Sequence, residues 1–211
     1  MSVTPPLNIA VFASGNGSNL AAIARAVATG NLPGCRIALV LSNNSNAGAL
    51  GIAREHGIPA LHCSAQQFSS GAECDRALLN HLRAHNVNFI ALAGYMKKIG
   101  APVIAEFTNR IVNIHPALLP AFGGKGMYGM HVHEAVIASR ATESGATVHL
   151  VDDEYDRGPV VLQRRIAIRS DETAVTLAAR VLAVEHELYP EALRLFAEGR
   201  VTVVDHNVIV V

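Results

Sequence analysis

Carboxylate side chains are missing from the first quarter of this chain. No Asp or Glu precedes Glu55, and the only charged residues before it are Arg25, Arg36 and Arg54. A segment without carboxylates accepts an anionic ligand without electrostatic repulsion. An equally good interpretation is that this segment is mostly buried and therefore carries few charges of either sign.

Long apolar runs and paired cysteines are scarce as well. The apolar stretch 87–96 is interrupted by polar and glycine residues and is shorter than the roughly 20 residues that a membrane-spanning helix needs. The N-terminus has no basic-then-apolar pattern typical of a secretory signal. The cysteines Cys35, Cys63 and Cys74 are odd in number and far apart, which favours reduced thiols. These absences predict a cytoplasmic protein without a membrane partner.

Excess positive charge is the third absence. The chain has 17 Lys and Arg against 17 Asp and Glu, so its formal net charge is zero and nothing indicates a nucleic-acid-binding surface. Half of its 211 residues are hydrophobic. That composition predicts a single domain over residues 1–211 with a large core. It leaves open whether the protein is a monomer or a homodimer.

Short apolar stretches alternate with helical patterns along the first half of the chain. Strands are predicted over 8–14, 35–42, 60–63, 88–93 and 110–115, and helices over 19–28, 47–56 and 72–85. Strands and helices that alternate in this way form a mostly parallel twisted sheet with helices on both faces, an α/β fold of the Rossmann-like type.

In the second half of the chain, the sequence pattern no longer predicts parallel strands that alternate with helices. The stretches 146–151 and 160–168 are candidate antiparallel strands. A long helix over 172–198 is expected to be interrupted near Pro190. The stretches 201–204 and 208–211 predict a small hairpin. The segment 116–130 has little periodicity, and a loop of that length commonly serves a functional site.

An amide and an imidazole are two residues apart at the end of one predicted strand. Asn113 and His115 therefore point to the same side of the sheet, while Ile114 points to the other. Pro116 disfavours helical geometry at His115, so the strand should end there. A histidine in this position, close to a carboxylate such as Asp156, is suited to acid–base chemistry at neutral pH.

A glycine loop connects the first strand to the first helix; its residues are Gly15, Asn16, Gly17, Ser18 and Asn19. Glycines let successive backbone N–H groups converge, and the N-terminus of a helix adds partial positive charge, so the loop is a candidate phosphate site. The alternative is an ordinary strand-to-helix turn in which Ser18 caps the helix.

Two better-known phosphate motifs do not fit this loop. A dinucleotide fingerprint needs Gly or Ala where this chain has Leu20, and a carboxylate after the second strand, where the sequence is SNN (42–44). A nucleoside-triphosphate loop needs a lysine, and none precedes Lys97. The loop therefore predicts a ligand with a single phosphate.

Six segments carry a resemblance to a known family. They are SGNGSNL (14–20), LAGYM (92–96), NIHPALLP (113–120), GATVH (145–149), DEYDRGP (153–159) and EHELYP (185–190). Together they resemble the phosphoribosylglycinamide formyltransferases, the folate-dependent enzymes of purine synthesis. The resemblance covers nearly the whole chain and implies one formyltransferase domain. The first segment is the one that points to the glycinamide ribonucleotide enzymes among formyltransferases.

The resemblance also implies roles for particular residues. Asn113, His115 and Asp156 match the catalytic residues, the glycine loop matches the substrate phosphate site, and Glu185 matches a contact to glycinamide ribonucleotide. The matches to the folate pocket are Tyr95, Met96, Lys97, Val151, Asp152, Asp153, Glu154 and Tyr155.

The chain departs from the family pattern at three places. The segment 121–129 (AFGGKGMYG) is longer and richer in glycine than in many members, and is called the glycine-rich segment below. Gly71 stands where some members have an arginine near the folate glutamate tail, and Arg157 stands where glycine is common.

The resemblance implies transfer of a formyl group from the co-substrate 10-formyltetrahydrofolate to the amine of glycinamide ribonucleotide. The attack produces a tetrahedral intermediate whose negative oxygen needs hydrogen-bond donors. We expect a charged His115 and the Asn113 amide to be those donors. Asp156 is expected to favour the charged form of His115, and to move the proton from the amine to N10 directly or through a water.

Other interpretations remain open at this stage. A hydrolase that releases formate from formyltetrahydrofolate would use the same three residues, and a non-catalytic module could bind a sugar phosphate. His131, His133 and His149 resemble an incomplete metal site, but the sequence offers no suitable fourth ligand, and we expect no metal.

Overall fold

The computed structural model describes residues 6–211, in which strands and helices alternate. The strands are β1 (Leu7–Phe12), β2 (Cys35–Ser42), β3 (Ala60–His62), β4 (Phe89–Leu92), β5 (Ile111–His115), β6 (Glu143–Leu150), β7 (Val160–Ala167), β8 (Val201–Val204) and β9 (Asn207–Val210). The helices are α1 (Ser18–Ala28), α2 (Gly48–Glu55), α3 (Gly71–Ala84), α4 (Ala101–Glu106), α5 (Met130–Ala138) and α6 (Ala174–Ala197).

The main sheet has seven strands in the order β3-β2-β1-β4-β5-β6-β7. The first five strands are parallel, whereas β6 and β7 are antiparallel to their neighbours. The chain builds outward from β1 through β2 to β3, and then returns to the other side of β1 with β4. The strand order therefore reverses between β1 and β4. In open α/β sheets, ligands bind at the carboxyl ends of the strands at such a point.

Hydrophobic side chains cover both faces of this sheet. Ile9 and Val11 of β1 point to the face covered by α1, α2 and α6, while Ala10 and Phe12 point to the face covered by α3 and α4. The alternation follows from the two-residue period of a strand. Tyr189 of α6 is fully buried, and its hydroxyl donates to the carbonyl oxygens of Leu92 at the end of β4 and Val112 near the start of β5, which lie 2.9 and 3.2 Å away. This contact ties α6 to the strands that carry the site.

The predicted strands and most helices are confirmed, with differences in three helices. Helix α6 runs through Pro190 without the expected interruption. A proline inside a helix costs about 3 kcal/mol, and the burial of Tyr189, Leu193 and their neighbours on both sides of Pro190 offsets that cost. The sequence did not predict α4 or α5. No helix within residues 6–211 is both long and apolar enough to cross a membrane.

The antiparallel strands and the terminal hairpin are confirmed. β6 pairs with both β5 and β7 in the antiparallel sense. β8 and β9 form a separate two-stranded sheet after α6. The antiparallel direction of β6 matters for the site, because it brings His149 directly opposite Asn113.

Candidate active site

A cleft of about 670 Å³ opens at the carboxyl ends of β4 and β5, beside the point where the strand order reverses. Its walls are formed by parts of the glycine loop, the segment after β4, the segment 151–156, the glycine-rich segment and α6. This volume lies within the range of about 300–1,000 Å³ that is usual for small-molecule sites.

Asn113 and His115 border this cleft from the end of β5. Strand β5 ends at His115, as the following proline predicts. Ile114 between them packs into the core on the other side of the sheet. The expected side-by-side arrangement of amide and imidazole is therefore present.

The imidazole of His115 lies between a carbonyl and a carboxylate. Its Nε2–H donates to the carbonyl oxygen of Phe122 over 2.8 Å, and its Nδ1 lies 3.7 Å from Oδ2 of Asp156. Burial lowers the pKa of His115 below its ordinary value, and the Asp156 charge opposes this only in part. The expectation of a charged His115 is therefore wrong for the ligand-free protein, in which the neutral imidazole is favoured at pH 7.

Asp156 comes from the loop between β6 and β7 and adopts a left-handed backbone with φ 55°. Asp tolerates this conformation better than most residues. The N–H of Gly124 donates to its Oδ2 over 2.8 Å. Burial by itself raises the pKa of Asp156. A hydrogen bond from His149 and the charge of His115, each in its protonated form, together with the Gly124 N–H, outweigh burial, and the pKa falls below its ordinary value. Asp156 is therefore ionised at neutral pH.

His149 belongs to the same constellation, and the sequence reasoning missed this role. Its Nδ1–H donates to the carbonyl oxygen of Leu150 over 2.8 Å, which leaves Nε2 as an acceptor for the Asn113 amide at 3.1 Å. The same Nε2 lies 3.6 Å from Oδ1 of Asp156. The signal that could have identified His149 was the antiparallel pairing of β6 with β5. The sequence by itself indicates this histidine only as a possible metal ligand.

The residues assigned to the folate pocket lie on two facing walls of the cleft, with one exception. Seven of the eight border it, and Asp153 is outside its lining. Those that border it are Tyr95, Met96, Lys97, Val151, Asp152, Glu154 and Tyr155. Lys98, which also borders the cleft, connects the two walls, because its Nζ lies 5.8 Å from the centre of the Tyr155 ring.

The glycine loop contributes Asn16 and Asn19 to the cleft lining, but not Gly15, Gly17 or Ser18. Gly17 precedes α1 with φ 81°, and no side chain caps the helix, so the alternative of a Ser18 cap is wrong. A Cβ at Gly17 would lie 2.7 Å from the Cα of Ala49. Packing against α2 is therefore one reason for a glycine at this position. A Cβ at Gly15 would meet no atom within 4 Å.

Asn19 and Glu185 form a buried pair at the α6 wall of the cleft. The Asn19 amide donates to Oε2 of Glu185 over 2.6 Å, and both residues border the cleft. Burial raises the pKa of Glu185 to about 7, although the hydrogen bond from Asn19 opposes the rise. The Oδ1 of Asn19 is buried and has no hydrogen-bond partner in the part of the chain that is described. This pair has capacity for a ligand that donates hydrogen bonds.

The three histidines considered as metal ligands have separate surroundings. His131 is exposed, with Nδ1 3.4 Å from a Glu134 oxygen. His133 is buried at the cleft, and His149 belongs to the constellation described above. Among residues 6–211, no group of three or more His, Cys, Asp or Glu is arranged to hold a metal ion.

The fold and the site together define an α/β enzyme with an open sheet and a polar constellation at the strand ends. The chain belongs to the formyl transferase family, whose model matches residues 7–193.

Three relatives define its similarity more closely. The chain is 46% identical to the chloroplastic phosphoribosylglycinamide formyltransferase of Vigna unguiculata, over 92% of this chain and 62% of that protein. It is 36% identical to the phosphoribosylglycinamide formyltransferase of Escherichia coli (strain K12), over 92% of this chain and 89% of that protein. The solved structure of glycinamide ribonucleotide transformylase 1 from Symbiobacterium toebii matches with a TM-score of 0.93 and 37% identity over 100% of both chains. The chain thus spans less than two thirds of the Vigna unguiculata protein.

Proposed function

We propose that this protein transfers the formyl group of 10-formyltetrahydrofolate to the amine of glycinamide ribonucleotide, a step of purine biosynthesis. The observation that carries the proposal is one cleft that joins Asn113, His115 and Asp156 to the buried Asn19–Glu185 pair. The first group supports acyl transfer, and the second supports recognition of a ligand rich in hydrogen-bond donors. The similarity to enzymes with this name supports the same substrates.

The chemistry joins the amine nitrogen to the formyl carbon and breaks the bond from that carbon to N10. Attack places negative charge on the formyl oxygen and leaves an extra proton on the attacking nitrogen. One N–H of the Asn113 amide is committed to His149, and the second is available to the developing oxyanion. Removing one such donor typically costs a factor of 10²–10³ in rate.

His115 is the proton carrier in this proposal. Because its Nε2–H is committed to Phe122, its Nδ1 lone pair is available to take the proton from the attacking amine. The imidazolium that forms is stabilised by Asp156, 3.7 Å away, and passes the proton to N10 as that nitrogen leaves. The low pKa of Asp156 makes it a poor proton carrier, so its role is electrostatic. This changes our sequence-based expectation, in which Asp156 or a bound water moved the proton.

Glycinamide ribonucleotide is assigned to the side of the cleft formed by the glycine loop and α6. The absence of carboxylates before Glu55 supports the loop as the phosphate site. Asn16, Asn19 and Glu185 supply polar groups there. The folate is assigned to the walls around Tyr95 and Tyr155, where Lys97, Lys98 and Lys125 border the cleft and can attract the tail carboxylates.

One assay separates this proposal from the two alternatives. The protein is incubated with 10-formyltetrahydrofolate, with and without glycinamide ribonucleotide, and loss of the formylated folate is followed. Loss that depends on the ribonucleotide supports the transferase. Loss without it supports a hydrolase, and no loss in either case supports a sugar-phosphate-binding module. The His115→Ala variant is the matched control for contaminating activity.

We further propose a cytoplasmic monomer or homodimer with no nucleic-acid or membrane partner. Zero net charge supports the absence of a nucleic-acid partner. The free thiols of Cys35, Cys63 and Cys74 support a reducing compartment. Light scattering of the purified protein measures the oligomeric state directly.

A further inference from the structure

One short stretch of backbone, residues 122–124, contacts two ionisable residues of the catalytic group, His115 and Asp156. The carbonyl oxygen of Phe122 accepts a hydrogen bond from His115 Nε2 at 2.8 Å. Two residues later, the N–H of Gly124 donates to Oδ2 of Asp156, also at 2.8 Å. Residues 122–124 lie in the loop between β5 and α5 and belong to no strand, so the two contacts depend on the path of the glycine-rich segment.

Packing on both sides fixes the path of this stretch. Phe122 adopts a left-handed backbone with φ 56°, which few bulky residues adopt without support. Its side chain packs against the main hydrophobic core. At Gly123, an added Cβ would lie 2.5 Å from Cδ2 of Leu119 and 3.1 Å from Cβ of Asp156. The direction of the Phe122 carbonyl is therefore set by the core and by the close approach of Gly123 to Asp156.

The carbonyl has a chemical consequence for His115. A neutral imidazole has one N–H donor and one acceptor nitrogen. In the Nε2–H form, the donor is satisfied by Phe122, and Nδ1 remains a lone pair near Asp156. In the Nδ1–H form, the Nε2 lone pair would face the carbonyl oxygen, and the proton would be committed to Asp156. The carbonyl thus favours the form of His115 that can accept a proton in the cleft.

We propose that residues 122–124 are a positioning element that selects the Nε2–H tautomer of His115 and orients the Asp156 carboxylate through the Gly124 N–H. The link to turnover rests on the proposed transfer reaction, whereas the tautomer is a property of the ligand-free protein. The glycine-rich segment thereby gains a role that its composition alone does not indicate.

Nitrogen NMR of the ligand-free protein tests the tautomer. Long-range proton–nitrogen spectra of ¹⁵N-labelled protein distinguish a protonated from an unprotonated ring nitrogen, and signals lost in His115→Gln identify this residue. Above the pKa of His115, we expect Nε2 to be protonated and Nδ1 to be unprotonated. A wild-type His115 protonated at Nδ1 would overturn the proposal without any variant of the segment.

Gly123→Ala tests the positioning role, with Gly51→Ala as its control. Gly51 lies on α2 away from the cleft, and a Cβ there would meet no atom within 4 Å. Gly123→Ala should mix the two tautomers and lower kcat by about tenfold or more, up to the 10²–10⁴-fold that acid–base catalysis typically contributes, with little change in KM. The control should change neither. A folded Gly123→Ala protein with wild-type tautomer and kcat would contradict the role.

A second variant covers the case in which Gly123→Ala does not fold. Phe122→Gly keeps a residue that tolerates the left-handed backbone and removes the side chain that anchors it. The same mixture of tautomers is expected, and an unchanged tautomer would contradict the role of the anchor. If the wild type has the Nε2–H tautomer but transfers no formyl group, the positioning element stands and the proposed function fails.

Discussion

The two polar ends of the cleft differ in how far their groups are satisfied before a ligand arrives. At the end that we propose to be catalytic, called the catalytic end (Asn113, His115, His149 and Asp156), each side chain has a partner, and neighbouring groups hold Asp156 in its ionised form with a lowered pKa. At the end that we propose binds the formyl acceptor, called the acceptor end (Asn19 and Glu185), burial raises the pKa of Glu185 to about 7, and Asn19 Oδ1 has no partner among the described residues.

This difference separates a rigid site from one that a ligand completes. Preorganised groups need no rearrangement when charge develops, which is what stabilisation of a transition state requires. A buried polar atom without a partner costs about 1–3 kcal/mol, and a ligand that supplies the missing hydrogen bond recovers that free energy on binding. The catalytic end is therefore suited to rate, and the acceptor end to recognition.

The largest expected effect is at the catalytic end. We predict that His115→Ala, Asn113→Ala and Asp156→Ala each lower turnover by about 10²–10³-fold. The first removes the proton carrier, the second the hydrogen-bond donor to the oxyanion, and the third the carboxylate that stabilises the imidazolium. The three residues act as one unit, so double variants should lose less than the product of the single losses. Steady-state kinetics with both substrates measures this, and thermal unfolding checks that each variant is folded. A His115→Ala protein with near-wild-type turnover would refute the mechanism.

The second effect concerns stability at the acceptor end. The pKa of Glu185 is raised from 4.5 to about 7 by folding, so the folded state binds more protons between these pH values. The stability that protonation of Glu185 contributes is therefore full below pH 4.5 and is lost as pH rises to about 7, a difference of roughly 3 kcal/mol. Glu185→Gln does not titrate and keeps an acceptor for Asn19.

Urea unfolding of both proteins at pH 5 and pH 8 measures this difference. The free energy of unfolding of the variant, relative to the wild type, should increase by about 2–3 kcal/mol between the two pH values. A relative stability that is the same at both would mean that the Glu185 carboxylate is ionised in the folded protein throughout this range. The two ends of the cleft would then not differ in the way described.

The sequence predicted the strands well because buried parallel strands are short apolar runs with clear ends. The pair Asn113 and His115 was accessible for a related reason, since the two-residue period of a strand decides which side chains share a face. The role of His149 was not accessible from local pattern. It depends on β6 pairing with β5 in one particular register, which brings together residues 36 positions apart.

The charge of His115 and the path of α6 were wrong for one common reason, namely burial. A carboxylate expected to fold close to His115 suggested an imidazolium, but the free energy of desolvating the ring outweighs that interaction in the ligand-free protein. Pro190 suggested an interruption of the helix, but the buried residues around it offset its local cost. Neither degree of burial can be read from the neighbouring residues alone.

A smaller effect is expected in the glycine loop, where two variants separate folding from binding. From the sequence, Gly17→Val should weaken glycinamide ribonucleotide binding at least tenfold, which corresponds to about 1.4 kcal/mol, and change folate binding little. Because a Cβ at Gly17 would contact Ala49, the same variant should also lower the melting temperature. A Cβ at Gly15 would meet no atom within 4 Å, so Gly15→Ala should not lower stability. Because the loop is proposed to bind the substrate phosphate, the added methyl group should still weaken ribonucleotide binding.

Isothermal titration of each variant with the two ligands separately makes this test. Inorganic phosphate should compete with the ribonucleotide and not with the folate, since the loop is proposed to bind the substrate phosphate. If folate affinity collapses in Gly15→Ala while ribonucleotide affinity survives, the loop has been assigned to the wrong substrate. The acceptor end would then comprise Asn19 and Glu185 without the loop.

The smallest expected effect is that of metal removal, for which we predict no change in activity. Neither end of the cleft depends on a metal in this proposal, because Asn113 and His115 supply the donor and the proton carrier. His149, the one candidate ligand in the catalytic group, already has both ring nitrogens engaged with Leu150 and Asn113. Exhaustive chelation followed by the acceptor-dependent assay measures the effect, with His131→Ala as a control for adventitious surface binding. Stoichiometric zinc in the purified protein, with activity lost on its removal and restored on its return, would instead support metal-assisted hydrolysis and assign His149 to the metal.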